Sequence, residues 1–243
     1  KGEGKVKKMI EEASKLRVLD PACGSGSFLL GAYQYLLDWH IKIYQSREKE
    51  FKERVYRSGK EMDTGLHLTT KEKKRILLNN IYGVDIDSQA VEVSKLSLLL
   101  KVLEGETDET LAKQLDIFTE RALPDLSRNI KCGNSLIDTD FYDGGTLFEE
   151  ETNVNPFNWQ KGFPEVFKNG GFDVVIGNPP YVKIQNLTES QPRNILKYFS
   201  NNYKSAASGN YDIYLLFIEK AYKLLRAEGY QGFINPHKFF NSN

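Results

Sequence analysis

Cysteine is nearly missing from this chain: Cys23 and Cys132 are its two in 243 residues. Two thiols exclude a disulfide framework and any cysteine-based zinc cluster, and they suit a reducing compartment. Histidine is just as sparse. His40, His67 and His237 form no spaced cluster, so no metal is expected. No apolar run approaches the roughly 18 residues that cross a bilayer. The most apolar stretches, Leu96–Leu100 and Tyr214–Ile218, are far shorter. The N-terminus is rich in Lys and Glu and lacks a signal-peptide pattern. Net charge is absent too, with 33 basic and 33 acidic side chains. A globally basic surface is therefore not available for nucleic acid, and any such contact has to come from local patches.

The chain does have a folding composition. Forty per cent hydrophobic and 12% aromatic residues exclude a disordered tail and can fill a sizeable core. The length suits one domain, or one domain with elaborations. The chain starts at Lys1 and ends in Phe239-Phe240-Asn241-Ser242-Asn243. It is expected to be a piece of something longer, with 1–15 as an N-terminal remnant.

Strand and helix signals alternate along it. Leu16–Leu19 reads as a strand, followed by a Gly-rich turn and a helix over Phe28–Trp39. Residues 41–75 carry eleven Lys/Arg against six Asp/Glu and read as a charged helical insertion. Ile81–Asp85 is a second strand, and Ser88–Leu103 has helical periodicity. Asn129–Cys132 is a third strand. Residues 138–171, rich in Asp, Glu, Gly and Asn, read as a loop-rich insertion. Phe172–Ile176 is a fourth strand, 182–209 a polar loop, Tyr211–Leu225 an amphipathic helix and Tyr230–Asn235 a fifth strand. This alternation predicts an α/β fold with a doubly wound, mostly parallel sheet. Ligands of such sheets bind beyond the carboxyl ends of the strands, where the most unusual turns here fall.

The first of those turns is Asp20-Pro21-Ala22-Cys23-Gly24-Ser25-Gly26-Ser27. Glycines two apart at a strand-to-helix turn let backbone approach a ligand closely. The pattern is not a dinucleotide fingerprint: Leu29 takes the third glycine position, and Asp85 lies 59 residues beyond Gly26. No Gly-Lys-Ser/Thr is present, so a P-loop is excluded. On the glycines alone, a plain tight turn fits equally well. Asp85, at a strand end, can accept both hydroxyls of an adenosine ribose, with Ile86 covering one face of the adenine. Asp87 suits a helix cap. Asn178-Pro179-Pro180-Tyr181 is the most specific run. Prolines cannot donate, so carbonyls there are free to accept. With the Asn178 side-chain carbonyl they offer two acceptors to a planar NH2 group, and Tyr181 offers a flat ring.

The ordered set Asp-Pro-Ala-Cys-Gly-Ser-Gly-Ser-Phe, Tyr-Gly-Val-Asp-Ile-Asp, Gly-Asn-Ser-Leu and Phe-Asp-Val-Val-Ile-Gly-Asn-Pro-Pro-Tyr resembles the adenine-N6 DNA methyltransferases. It is most similar to the Eco57I-like group of fused restriction-modification and phage-defence enzymes, over roughly residues 16–240. The resemblance implies a Rossmann-like fold and S-adenosylmethionine as cofactor. It implies that Asp20, Ala22, Gly24 and Gly26 wrap the methionine part, that Asp85 holds the ribose, and that Ile86 packs on the adenine. Asn134 stands where a side chain bonds that adenine, and Ser135 where some relatives carry a Phe. Asn178, Pro179, Pro180 and Tyr181 take the catalytic positions, and Gly209-Asn210-Tyr211-Asp212 matches a weaker crevice motif. Cys23 and Cys132 are read as small hydrophobes, because this chemistry needs no covalent nucleophile.

The implied reaction is methylation of adenine N6 in double-stranded DNA, the base being flipped from the helix. Most DNA contacts are expected outside this chain, with no target-recognition domain in it. A prokaryotic cytoplasm is implied by the resemblance; an oligomeric state is not. Two other readings stay open. The same acceptor pair serves enzymes that methylate RNA guanine N2 or a protein glutamine. Alternatively, the chain is a cofactor-binding core with little activity alone. The family sheet has seven strands, so the chain is expected to stop after the fifth.

Overall fold

The computed structural model describes residues 3–57, 65–106, 123–144, 154–185, 193–207 and 211–237. Helix α1 (Glu3–Ala13) precedes β1 (Val18–Asp20), and α2 (Ser27–Gln45) follows it. A short antiparallel pair, β2 (Val55–Arg57) and β3 (Leu66–Leu68), leads into α3 (Thr70–Asn80). Then come β4 (Ile81–Asp85), α4 (Ser88–Leu103) and β5 (Ile130–Cys132). Two short helices, α5 (Trp159–Gly162) and α6 (Pro164–Lys168), precede β6 (Phe172–Gly177). Helices α7 (Arg193–Asn202) and α8 (Ile213–Leu224) and strand β7 (Leu225–Phe233) complete the described order.

The main sheet runs β5-β4-β1-β6-β7, and every neighbouring pair is parallel. The order in which successive strands are added reverses at β1, with β4 and β5 on one side and β6 and β7 on the other, which makes the edge between β1 and β6 the topological switch point of a doubly wound, Rossmann-like fold. Side chains alternate across it. Val18, Ile81 and Ile130 pack into the layer of α2, α3 and α4. Leu19, Val84 and Val175 face the opposite layer, with Trp159, Phe163, Ala221 and Leu224. Burial on both faces is why these strands read as short continuous apolar runs.

Several elements differ from the sequence reading. Residues 41–75 are not one charged helix. The first helix extends to Gln45, and the short runs Val-Tyr-Arg and Leu-His-Leu alternate as strands, with Val55, Leu66 and Leu68 buried. The charge count concealed that period of two. Helix α3 is capped by Thr69, whose side chain accepts from the Glu72 amide at 3.3 Å. The supposed polar loop 182–209 contains α7, where Ile195 and Phe199 are buried one turn apart among polar neighbours. The described part of 138–171 supplies Phe157, Trp159 and Phe163 to the core. Strand β7 begins at Leu225, not Tyr230. Leu225 pairs with Phe172, a register shift follows, and Tyr230 pairs with Val174. The N-terminal segment is a packed helix: Ile10 is buried, and the Ala13 carbonyl accepts from Asn80 Nδ2 at 2.8 Å.

Candidate active site at the strand ends

The parallel register brings the ends of β1, β4, β5 and β6 to one edge of the sheet. A crevice of about 470 Å³ opens there. Its walls include Ala22, Asp85, Ile86, Asn134, Ser135, Asn178 and Pro180, seven of the residues singled out from sequence. Asn178 directly follows β6 and Asp85 closes β4, so the two stand on either side of β1. Ile86 is exposed.

The remaining predicted residues lie beneath or beside the crevice. Asp20 is 2% exposed and accepts the Ala22 amide at 3.0 Å. Burial pushes its carboxyl up to about 7; the Ala22 hydrogen bond pulls the other way, and nearby Asp85 adds to the rise. Gly177 lies directly against it: a Cβ there would sit 2.6 Å from Asp20 Oδ1. Gly24 (φ +52°) donates its amide to Asp85 Oδ2 at 2.7 Å. Asp85 Oδ1 accepts from the Asp87 amide at 3.0 Å, and Asp87 caps α4. Gly26 (φ +87°) answers to helix packing, since a Cβ there would meet Ser94 Oγ of α4 at 2.3 Å. The Cys23 thiol is buried and pushed up to about 12 by that burial, then by Asp20 and Asp85, which keeps it protonated.

Pro179 is buried, and Pro180 and Tyr181 are exposed. The Tyr181 hydroxyl is a donor placed at Asn178 Oδ1 and at the Ile234 carbonyl, 2.8 Å from the latter. Its ring meets Tyr214 edge-on at 6.0 Å. Ser135, where some relatives carry a Phe, lines the crevice. Its hydroxyl is buried and donates to the Pro21 carbonyl at 2.5 Å. Gly209 and Asn210 lie outside the described residues; Tyr211 is buried beside the crevice.

The sequence reading missed the apolar half of the walls. Leu136, Val154, Ile195, Phe199, Ile213 and Phe217 line it, largely from α7 and α8. The Ile195–Phe199 spacing was the available signal for α7. No Lys, Arg or His is among the described lining residues, so Asp85, the acid among them, faces no cation there. Among the described residues no cluster of His, Cys, Asp or Glu is placed to hold a metal ion, and no helix is long and apolar enough to cross a membrane.

Comparison with known proteins matches this architecture. The Eco57I restriction-modification methylase family matches residues 79–243, and an RMKL-like methyltransferase domain matches residues 8–117. The type II restriction enzyme and methyltransferase RM.Eco57I of Escherichia coli is 36% identical over 225 residues, covering 90% of this chain and 20% of that protein. The adenine-specific methyltransferase PglX of Streptomyces coelicolor is 24% identical over 226 residues, covering 90% of this chain and 16% of that one. This chain thus spans about a fifth of the length of these relatives. Two solved structures share the fold. The DNA complex of the type IIL restriction-modification enzyme MmeI has a TM-score of 0.51 at 18% identity over 92% of this chain and 24% of that one. The DNA-bound type ISP enzyme LlaBIII has a TM-score of 0.53 at 15% identity over 93% of this chain and 13% of that one. With more than half of its residues matched by that family and a like sheet beneath them, the chain belongs to the Eco57I restriction-modification methylases.

Proposed function

We propose that the strand-end crevice binds S-adenosylmethionine and that Asn178 presents the N6 amino group of a DNA adenine to it. The observation that carries this reading is the placement of Asp85 and Asn178 in one crevice, astride β1 at the switch point. The residues suit the cofactor. A crevice of about 470 Å³ is in the range for a small-molecule ligand. Each Asp85 oxygen takes one backbone hydrogen bond, which leaves lone pairs for two ribose hydroxyls. Asp85 in a wall without a lining cation, with the buried Asp20 beneath it, suits a ligand of net positive charge.

When bound, the cofactor supplies an electrophilic methyl group on a sulfonium. The chain's own task is to hold and polarise the acceptor. Asn178 Oδ1 and the Pro179 carbonyl accept hydrogen bonds from the two N6 hydrogens and draw the nitrogen lone pair out of conjugation with the ring; the one N6 proton that methylation displaces passes to solvent. Tyr181, exposed at the rim, offers its ring to the extruded base; such stacking is worth about 1–3 kcal/mol. Positioning two bound reactants contributes most of the acceleration. DNA as the polymer is supported by relatives whose names state restriction or adenine-specific methylation.

A methyl-transfer assay offering DNA, RNA and protein acceptors tests the proposal. Transfer to adenine N6 in DNA is expected, with Asn178→Ala losing about 10²-fold or more. Undiminished transfer by Asn178→Ala, or transfer to RNA or protein alone, would overturn it.

A further inference from the structure

Three loops meet over the end of β4. The loop after β1 is tied to it by the Gly24 amide, which donates to Asp85 Oδ2 at 2.7 Å. The loop after β5 is tied to it by the Gly133 amide, which donates to the Asp85 carbonyl at 2.8 Å. These two loops do not belong to neighbouring strands, because β4 lies between β1 and β5. Two strand spacings separate them, about 9–10 Å. Beyond the strand ends the two loops converge, and there the Ser135 hydroxyl donates to the Pro21 carbonyl at 2.5 Å. Its single proton is committed there, and the residue is 4% exposed. It is therefore not a donor for a ligand, although Ser135 and Pro21 both line the crevice.

Ser135 is itself held from behind. Its carbonyl accepts from Trp159 Nε1 at 3.1 Å, and Trp159 is 3% exposed. Neighbouring bonds fix the same stretch. The Asn134 amide donates to the Asn155 carbonyl at 2.6 Å, and the Phe157 amide to the Ile137 carbonyl at 2.8 Å. Residues 154–159 thus back the β5 loop like a short extra strand, bridged at Asn134 and Pro156.

We infer that Ser135 is a positioning residue, a strut seated on Trp159 that sets the span between the Pro21–Ala22 wall and the Asn134 wall around Asp85. The inference rests on the proposed cofactor reading, and it gives residues 154–159 a part in ligand affinity. A strut that sets this span acts on the adenosine-holding part of the crevice, without touching the ligand through its hydroxyl.

Calorimetric titration with S-adenosylhomocysteine, at a temperature where every variant is folded, tests it. Ser135→Ala is expected to raise Kd by roughly two- to tenfold, the worth of one hydrogen bond. Trp159→Phe keeps a ring but loses the Nε1 donor, and is expected to act in the same direction. Because both work through one loop, the double variant should raise Kd by less than the product of the two single effects. A merely structural role would lower Tm in both variants and leave Kd alone, and that result overturns the inference. So would fully multiplicative effects. Should Ser135→Ala fail to fold, Trp159→Phe alone decides on the same criterion. If the wild-type protein binds no S-adenosylhomocysteine while folded, the cofactor reading falls, and the strut's role falls with it.

Discussion

Two buried carboxylates, Asp20 and Glu72, sit in opposite surroundings, 2% and 4% exposed respectively. Glu72 has its partners within the chain. Arg75 Nη2 lies 2.6 Å from its Oε1, Arg54 Nη1 3.5 Å away, and the Tyr44 hydroxyl donates to the same oxygen. Burial works to raise its carboxyl, but the Arg75 and Tyr44 hydrogen bonds and both arginine charges outweigh it and hold it low. Asp20 has one backbone donor and an acidic neighbour, and its carboxyl is pushed up to about 7. The first is a closed network that ties α3 and Arg54, the residue before β2, to Tyr44 of α2. The second leaves negative charge uncompensated beneath a crevice with no lining cation. Burial of an acid does not by itself mark function. A buried acid whose counter-charge is missing does point to a ligand that brings one.

The largest destabilisation should come from breaking the closed network. Glu72→Ala leaves Tyr44 and two arginines without their acceptor. It should cost about 3 kcal/mol, the low end for a broken buried pair because both arginines are partly exposed. Thermal unfolding should show a Tm lower by roughly 6–12 °C, with S-adenosylhomocysteine affinity within about twofold of wild type. Lost affinity at intact stability would invert the comparison.

Asp20→Asn should do the reverse. A folded protein whose carboxyl is raised from 3.8 to about 7 keeps that proton while the unfolded chain releases it. Stability then falls as pH climbs between those two values. Removing the charge should therefore stabilise the ligand-free protein at pH 8 by up to about 4 kcal/mol and change little at pH 4. The same variant should weaken S-adenosylmethionine binding at pH 8 by about tenfold, since it removes half of the uncompensated charge. Melting curves at both pH values, with titrations alongside, separate the two effects. A variant that is destabilised at pH 8, with unchanged affinity, would put Asp20 in the same class as Glu72.

The comparison also explains what could be read from the sequence. The strand-end turns were legible because each couples a local apolar run to residues with narrow chemistry: Asp20, Asp85 and the Asn178–Tyr181 run. Their convergence follows from parallel topology, which the alternation of elements already implied. The Glu72 network was not legible. Tyr44, Arg54, Glu72 and Arg75 are spread across a segment whose charges all look alike in one dimension, and partnership is a tertiary property. Helix α7 was hidden for a related reason, as its Ile195–Phe199 spacing is one turn long amid polar residues. The bond from Ser135 to Pro21 was hidden in the same way, because its acceptor lies 114 residues away. The contact of Gly26 with Ser94 of α4, which leaves no room for a Cβ, was likewise not legible in the sequence.

Titration of S-adenosylmethionine into the wild-type protein and Asp85→Ala tests the central claim most directly, because Asp85 is the acid that lines the crevice and anchors the β1 loop. Saturable one-to-one binding by the wild type is predicted, with affinity at least about tenfold weaker in Asp85→Ala, from the loss of a charge-assisted pair of hydrogen bonds. No binding by the folded wild-type protein, or equal binding by the variant, would contradict the account.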